Sequence, residues 1–336
     1  MKTLLTALTL VCLTFAGCKS WDKPVSDSTP QILSVKKIWD VGQHNAFTDL
    51  IRFQDKWFCT FREADGHVGG DGKIRVLVSK DGEQWESAAL LGETGVDLRD
   101  PKFSITPEKQ IMLCLGGSIY EGKKLLGKQP RVAFSKDGVN WSRPQKVLGE
   151  GDWLWRVTWR KGRAYGIVYS SVKDNARDWR LSLAESADGI HFQKTTKLNV
   201  SGSPNEATLR FQKNGDAIAL VRRESLDKVA WIGTSSAPYN DWKWTPSNMQ
   251  IGGPNFIILK DGSMMASGRQ YRNNEWNESK TFVGRMDLKT VQPEIILPSG
   301  GDTSYSGLVW EKGILWVSYY SSHEGKTSIY LAKIKY

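Results

Sequence analysis

Apolar and polar residues alternate along this chain in short runs, and the runs come in sets. Apolar anchors that precede a polar turn fall at Phe53, Ile105, Trp159, Phe211, Leu259 and Trp310, separated by 52, 54, 52, 48 and 51 residues. Turn pairs follow at Lys161-Gly162, Asn214-Gly215, Asp261-Gly262 and Lys312-Gly313, and each leads into another apolar run. A third run completes the unit, as at 230–234, 282–286 and 329–334. Runs this short, bounded by Gly, Asn and Asp, read as strands. Six units with a period of about 50 residues predict an all-β fold, a six-bladed β-propeller. The last unit ends at Tyr336 after its third strand, so residues 32–39 are expected to supply the fourth and close the ring. Closure leaves no long unpaired sheet edge.

A turn motif is laid over this period. It reads Ser79-Lys80-Asp81-Gly82-Glu83-Gln84-Trp85, then Ser135-Lys136-Asp137-Gly138-Val139-Asn140-Trp141, then Ser186-Ala187-Asp188-Gly189-Ile190-His191-Phe192. Asp bonds its own downstream backbone, Gly takes positive φ, and the aromatic ring pins the turn onto the blade.

In a four-stranded blade the inner strand starts at one rim and the second strand returns to it. Residues that begin inner strands therefore meet residues that end second strands at one mouth. The starts are Phe47-Thr48-Asp49, Arg99-Asp100, Trp153 with Trp155 and Arg156, Asn205-Glu206, Gly253 with Asn255, and Ser304-Tyr305. The ends include Arg62-Glu63, Gly116-Gly117, Tyr169-Ser170, Arg222-Arg223, Gly268-Arg269 and Tyr319-Tyr320. Arginine recurs there, and its planar fork suits a ligand carboxylate. Pairing with Glu63 or Glu224 to tie blades together is the structural alternative for those arginines.

These turns resemble the Asp boxes of the sialidase (neuraminidase) superfamily, whose architecture is also six-bladed, and the resemblance covers nearly all of the mature chain. Ser203-Pro204-Asn205-Glu206 followed by Arg222 looks like the sialidase segment with a catalytic Glu and a carboxylate-binding Arg. Asp302-Thr303-Ser304-Tyr305-Ser306-Gly307-Leu308 looks like the segment with the nucleophilic Tyr. The resemblance implies that Tyr305 attacks, activated by Glu206, while Arg62, Arg222 and Arg269 hold a substrate carboxylate. A neutral phenol can approach an anomeric carbon beside that carboxylate, where an anionic Asp would be repelled. Asp65, Asp71 and Asp100 are the candidates for the acid. The chain departs from the pattern at Ala46-Phe47-Thr48, where sialidases place an arginine; Arg62 or Arg99 is the possible replacement.

Three of the four histidines, His44, His67 and His323, map to the same rim, which permits proton transfer near neutral pH. A metal site with Asp65 or Asp71 lacks any strong ligand spacing, so no metal and no cofactor is expected. Most of the 15 tryptophans read as blade core; Trp153 and Trp155 are placed where a ring could stack on a sugar. The net charge of +10 fits an anionic partner, but without a dense basic run or a motif nucleic acid is not expected as one.

A basic start and the apolar run 4–15 read as a secretory signal, too short to span a bilayer. Phe15-Ala16-Gly17-Cys18 resembles the lipobox of bacterial lipoproteins, which implies cleavage before Cys18 and a lipid on its thiol. The expected organisation is a signal peptide over 1–17, a flexible tether over 18–30 and the propeller over 31–336. Cys59 and Cys114 then remain as buried free thiols. The expected address is the bacterial cell envelope, at the outer membrane if the cell is Gram-negative. The function expected is an exo-glycosidase releasing an acidic sugar from a glycan or glycoconjugate, with Arg99, His67 and Trp155 also at the substrate. A uronic-acid glycan lyase, with Tyr305 or His67 removing the proton, and a non-catalytic glycan-binding propeller are the alternatives.

Overall fold

A computed structural model describes residues 29–336, apart from residues 71, 173, 174, 273 and 274; the expected signal peptide, Cys18 and most of the expected tether lie outside the described residues. Six antiparallel sheets of four strands each form the ring. Blade one runs His44–Phe53, Lys56–Ala64, Lys73–Ser79 and Glu86–Leu91. Blade six consists of Thr303–Glu311, Ile314–Ser321, Ser328–Lys335 and, as its outermost strand, the N-terminal Gln31–Trp39. That strand pairs along its length with the last one, Ile32 against Ile334 and Trp39 against Ile329, so the ring is closed by joining the two ends of the described chain. No helix among the described residues is long and apolar enough to cross a membrane.

The Asp-box turns form as their residues dictate. Gly82 N–H donates to Ser79 Oγ at 2.8 Å, and Asp81 accepts from the N–H groups of Glu83 and Gln84. Trp85 Nε1 closes the turn on Gly82 O at 3.2 Å. The turns at Asp137 and Asp188 repeat the carboxylate bonds. Gly138 has φ 76° and a Cβ there would sit 2.2 Å from the Phe58 ring of blade one, so both backbone and neighbour require glycine. The apolar core fills the wedges between blades, as where Trp57 of blade one packs on Trp316 of blade six at 4.2 Å. Cys59 and Cys114 lie in it as free thiols, both pushed up by burial.

Each inner strand breaks register once near the mouth. The breaks fall between Ala46 and Asp49, Arg99 and Lys102, Leu154 and Val157, Pro204 and Ala207, Gly252 and Asn255, and Ser304 and Gly307. A bulge re-aims side chains. Here six bulges aim Phe47, Asp100, Trp155, Asn205, Gly253 and Tyr305, each with its successor, at one level of the ring. Among them a buried ion pair joins blade three to blade one, Arg156 forked on Asp49 at 2.8 and 3.1 Å.

Candidate active site at the mouth of the ring

Tyr305 enters the mouth on an unusual backbone: Ser304 has φ 94° and Tyr305 φ 51°. Positive φ at two successive non-glycine residues costs of order 1–3 kcal/mol each and persists only where the surroundings enforce it. Gly253 on blade five makes room, since a Cβ on it would lie 2.7 Å from the Tyr305 ring. Trp155 meets that ring edge-on at 5.6 Å and Phe47 lies 5.1 Å from it.

The phenol hydroxyl donates to Glu206 Oε1 at 2.5 Å. Glu206 Oε2 accepts from Arg222 Nη1 at 2.9 Å and from the Gly253 N–H at 2.8 Å. Arg222 Nη1 also reaches the Tyr305 oxygen at 3.2 Å, and its Nε is held by Glu224 at 2.6 Å. Burial works against the Glu206 carboxylate, but the Arg222 charge and these hydrogen bonds outweigh it and hold Glu206 below the usual range. Burial and the Glu206 charge push the Tyr305 phenol well up. The resting pair is thus a neutral phenol donating to an ionised carboxylate, which is placed to accept the phenol proton. Residues from blades four, five and six meet here, as expected for Tyr305, Glu206 and Arg222.

The remaining arginines are placed differently from the expectation that they hold ligand. Arg62 has no exposed surface: its Nε and Nη2 fork on Asp97 at 2.6 and 3.0 Å, and its Nη1 donates to Gly66 O. Arg99 shares Asp97 and donates to His67 O at 2.9 Å. The Arg99 guanidinium lies over the Phe47 ring at 5.1 Å, beside the place of the missing arginine, while Arg62 is drawn away onto Asp97. They brace the loop that carries His67, because Asp97 at the start of the inner strand of blade two draws both guanidinium groups inward. Arg269 is 1 % exposed and donates to Thr303 O, Tyr320 and Asp302, lying under Tyr305 at 5.4 Å. Trp155, expected as a sugar platform, is 1 % exposed and instead supports Tyr305 from the side, with the Lys102 ammonium 5.1 Å from its ring. Burial lowers Lys102 to about 8.

Of the carboxylates expected as acid, Asp65 is exposed on the loop and Asp71 lies outside the described residues. Asp100 has φ 50° at its bulge, and burial raises its pKa, with the charge of Glu206 adding to that and Arg99 and Lys102 offsetting it in part. The sequence reading assigned no role to Asp302, the centre of a second cluster. Its Oδ2 accepts from His67 Nδ1 at 2.6 Å and from His44 Nε2 at 3.0 Å, and its Oδ1 from Tyr320 Oη at 2.8 Å. Burial opposes its ionisation, but the two histidines hold it far below the usual range. His44, His67 and Asp302 are the group among the described residues whose ligand atoms converge closely enough for a metal ion. Their rim positions were the one signal available for this meeting; His323 stays apart, on Ser321. Phe47, also unassigned, joins the two clusters, with its ring 5.4 Å from His67 and 5.1 Å from Tyr305. Beside Glu206 and Arg222 a cavity of about 510 Å³ opens, walled by Tyr169, Trp179 and Glu224.

No family model matches the sequence, and no curated protein is similar to it. Solved structures share its fold. A protein of unknown function from Dyadobacter fermentans superposes with TM-score 0.80 at 20 % identity, over 91 % of this chain and 99 % of that one. An alpha-L-arabinofuranosidase from Fusarium graminearum with an iminosugar inhibitor gives TM-score 0.68 at 15 % identity, over 90 % and 98 %. Trypanosoma rangeli sialidase with 2,3-difluorosialic acid, a covalent intermediate, gives 0.64 at 10 % identity, over 93 % of this chain and 59 % of that one. The six-bladed fold is therefore shared with sialidases and with arabinose-releasing glycosidases.

Proposed function

We propose that this chain is an exo-acting glycoside hydrolase that retains configuration, releasing an acidic sugar, with Tyr305 as nucleophile and Glu206 as its base. The observation that carries the reading is the 2.5 Å bond from the phenol to a carboxylate that an arginine and a backbone N–H keep ionised. A phenol so placed can form a glycosyl ether while its proton passes to Glu206. Arg222 keeps its Nη2 clear of the bonds to Glu206, Tyr305 and Glu224, which leaves the two N–H groups of that nitrogen for a sugar carboxylate. Two glycosidases on the same fold, one of them with a covalent intermediate, support the class of reaction. A lipid on Cys18, holding the enzyme at the cell envelope, is part of this proposal.

One observation favours a neutral sugar as the second reading. Arg62, Arg99, Arg222 and Arg269 each already face a carboxylate, and Phe47 is apolar, so the mouth carries little spare positive charge. A panel of 4-methylumbelliferyl glycosides of sialic acid, glucuronic acid, galacturonic acid and L-arabinofuranose decides between them. Release from the acidic members is expected. Release from the arabinoside alone would select the neutral reading, and an ultraviolet-absorbing unsaturated product from a uronic-acid glycan would replace hydrolysis by elimination.

A further inference from the structure

Attack by Tyr305 leaves the departing alcohol in need of a proton, and neither Glu206 nor Arg222 supplies one. We propose that His67, oriented by Asp302, is the acid and base of this site, acting on the leaving oxygen and then on water. The inference rests on the hydrolase reading above.

Placement supports it first. A nucleophile enters and a leaving group departs on opposite faces of the reacting carbon, so the proton donor stands away from the base that serves the nucleophile. In a ring of six, blade one faces blade four. Glu206 and Arg222 belong to blade four; His67 belongs to the loop between the second and third strands of blade one. Tyr305 on blade six lies between them, one Phe47 ring away from His67.

The imidazole is also prepared for the task. Its Nδ1 is engaged by Asp302 at 2.6 Å, which fixes the tautomer and leaves Nε2 as the working nitrogen. Nε2 makes no hydrogen bond to any described residue, and the side chain is 44 % exposed at the rim. Asp302 is itself held by Tyr320, Arg269 and His44. The loop beneath is pinned at consecutive carbonyls, Gly66 by Arg62 and His67 by Arg99. Six groups from blades one, two, five and six thus serve one exposed ring, which a simple surface histidine would not need. Asp65 has no such support. Asp100 stands part-exposed on the bulge of blade two without such a brace, and it is the rival that the test below separates from His67.

The steps balance. The Tyr305 oxygen bonds to the anomeric carbon as its proton goes to Glu206; the glycosidic C–O bond breaks, and its electron pair takes the Nε2 proton of the His67 imidazolium. Neutral His67 then takes a proton from water, whose oxygen bonds to the anomeric carbon. The Tyr305–carbon bond breaks and the phenolate recovers its proton from Glu206.

The test uses the glycone that the wild type cleaves, linked to a good leaving group (2,4-dinitrophenol) and to a poor one (methanol). His67→Ala is expected to lose about 10²–10⁴-fold in kcat/KM on the methyl glycoside. On the dinitrophenyl glycoside it is expected to stay within about tenfold of the wild type, and added azide should speed it and yield a glycosyl azide. Asp302→Asn should show the same leaving-group dependence, weaker, in kcat rather than KM. Equal losses on both substrates, or this pattern in Asp100→Asn instead of His67→Ala, would overturn the assignment. So would activity that EDTA removes and Zn²⁺ restores in the wild type but not in His44→Ala. Tyr305→Phe, inactive on both substrates, reports separately on the hydrolase reading. If it stays active, or the wild type cleaves nothing on the panel, that reading fails and this one with it.

Discussion

At the turn between its third and fourth strands, blade one carries Ser79, Asp81, Gly82 and Trp85, and blades two and three repeat the carboxylate and glycine with the same bonds. At the opposite end the six bulges hold Phe47, Asp100, Trp155, Asn205, Gly253 and Tyr305, and no two are alike. The turn satisfies itself within seven residues, so the same local sequence works in any blade. The mouth satisfies itself across blades, as where Glu206 takes Gly253 and Tyr305, or Asp302 takes His44 and His67. Repetition therefore marks what builds the ring, and departure from repetition marks the candidate site.

If that division is right, changes at the two ends separate activity from stability. Tyr305→Phe should lower kcat by about 10³-fold or more while the melting temperature stays near wild type, since only a hydroxyl leaves a packed ring. A large loss of stability with it would blur the division. Asp97→Ala sits across the line, because it strands Arg62 and Arg99 without their shared carboxylate. Removing one partner of a buried pair costs about 3–5 kcal/mol, readable by urea unfolding. The same variant should lose activity per folded molecule, since both arginines also hold the His67 loop. Asp137→Ala at a turn should lower the melting temperature by about 2 °C and leave kcat untouched. The smallest effect is in acid. Backbone N–H groups, Gln84 at Asp81 and Asn140 at Asp137, hold these carboxylates below the usual range. The native state then binds fewer protons than the unfolded one, so their contribution is present above a pH of about 4 and is lost as the pH falls further. Asp81→Asn with Asp137→Asn should flatten that loss, measured as melting temperature between pH 5 and about 3.

Much of the ring is legible in the sequence, because strand periodicity and turn chemistry are local. The anchors at Phe53 and Trp310 and the glycines of the boxes are enough to count blades, and the missing strand of the last unit points to residues 32–39. Tyr305, Glu206 and Arg222 are legible together because each occupies an equivalent place near the rim of its blade. The partners of the arginines are not, since a rim arginine has the same local signature whether it faces solvent or an Asp on the next blade. Asp97, two residues before Arg99, decides Arg62 only in three dimensions. Trp155 is similar: a bulge turns its ring behind Tyr305 instead of over the opening. The cluster on Asp302 joins residues 44, 67 and 302, a distance along the chain that no motif spans.

The strand Gln31–Trp39 enters blade six with Gln31 beside Lys335, at the Asp-box face, and climbs toward the mouth at Trp39. Whatever precedes Gln31 therefore leaves from the underside of the ring. With an acyl chain on Cys18, as proposed, the ring would be held by the face opposite its mouth.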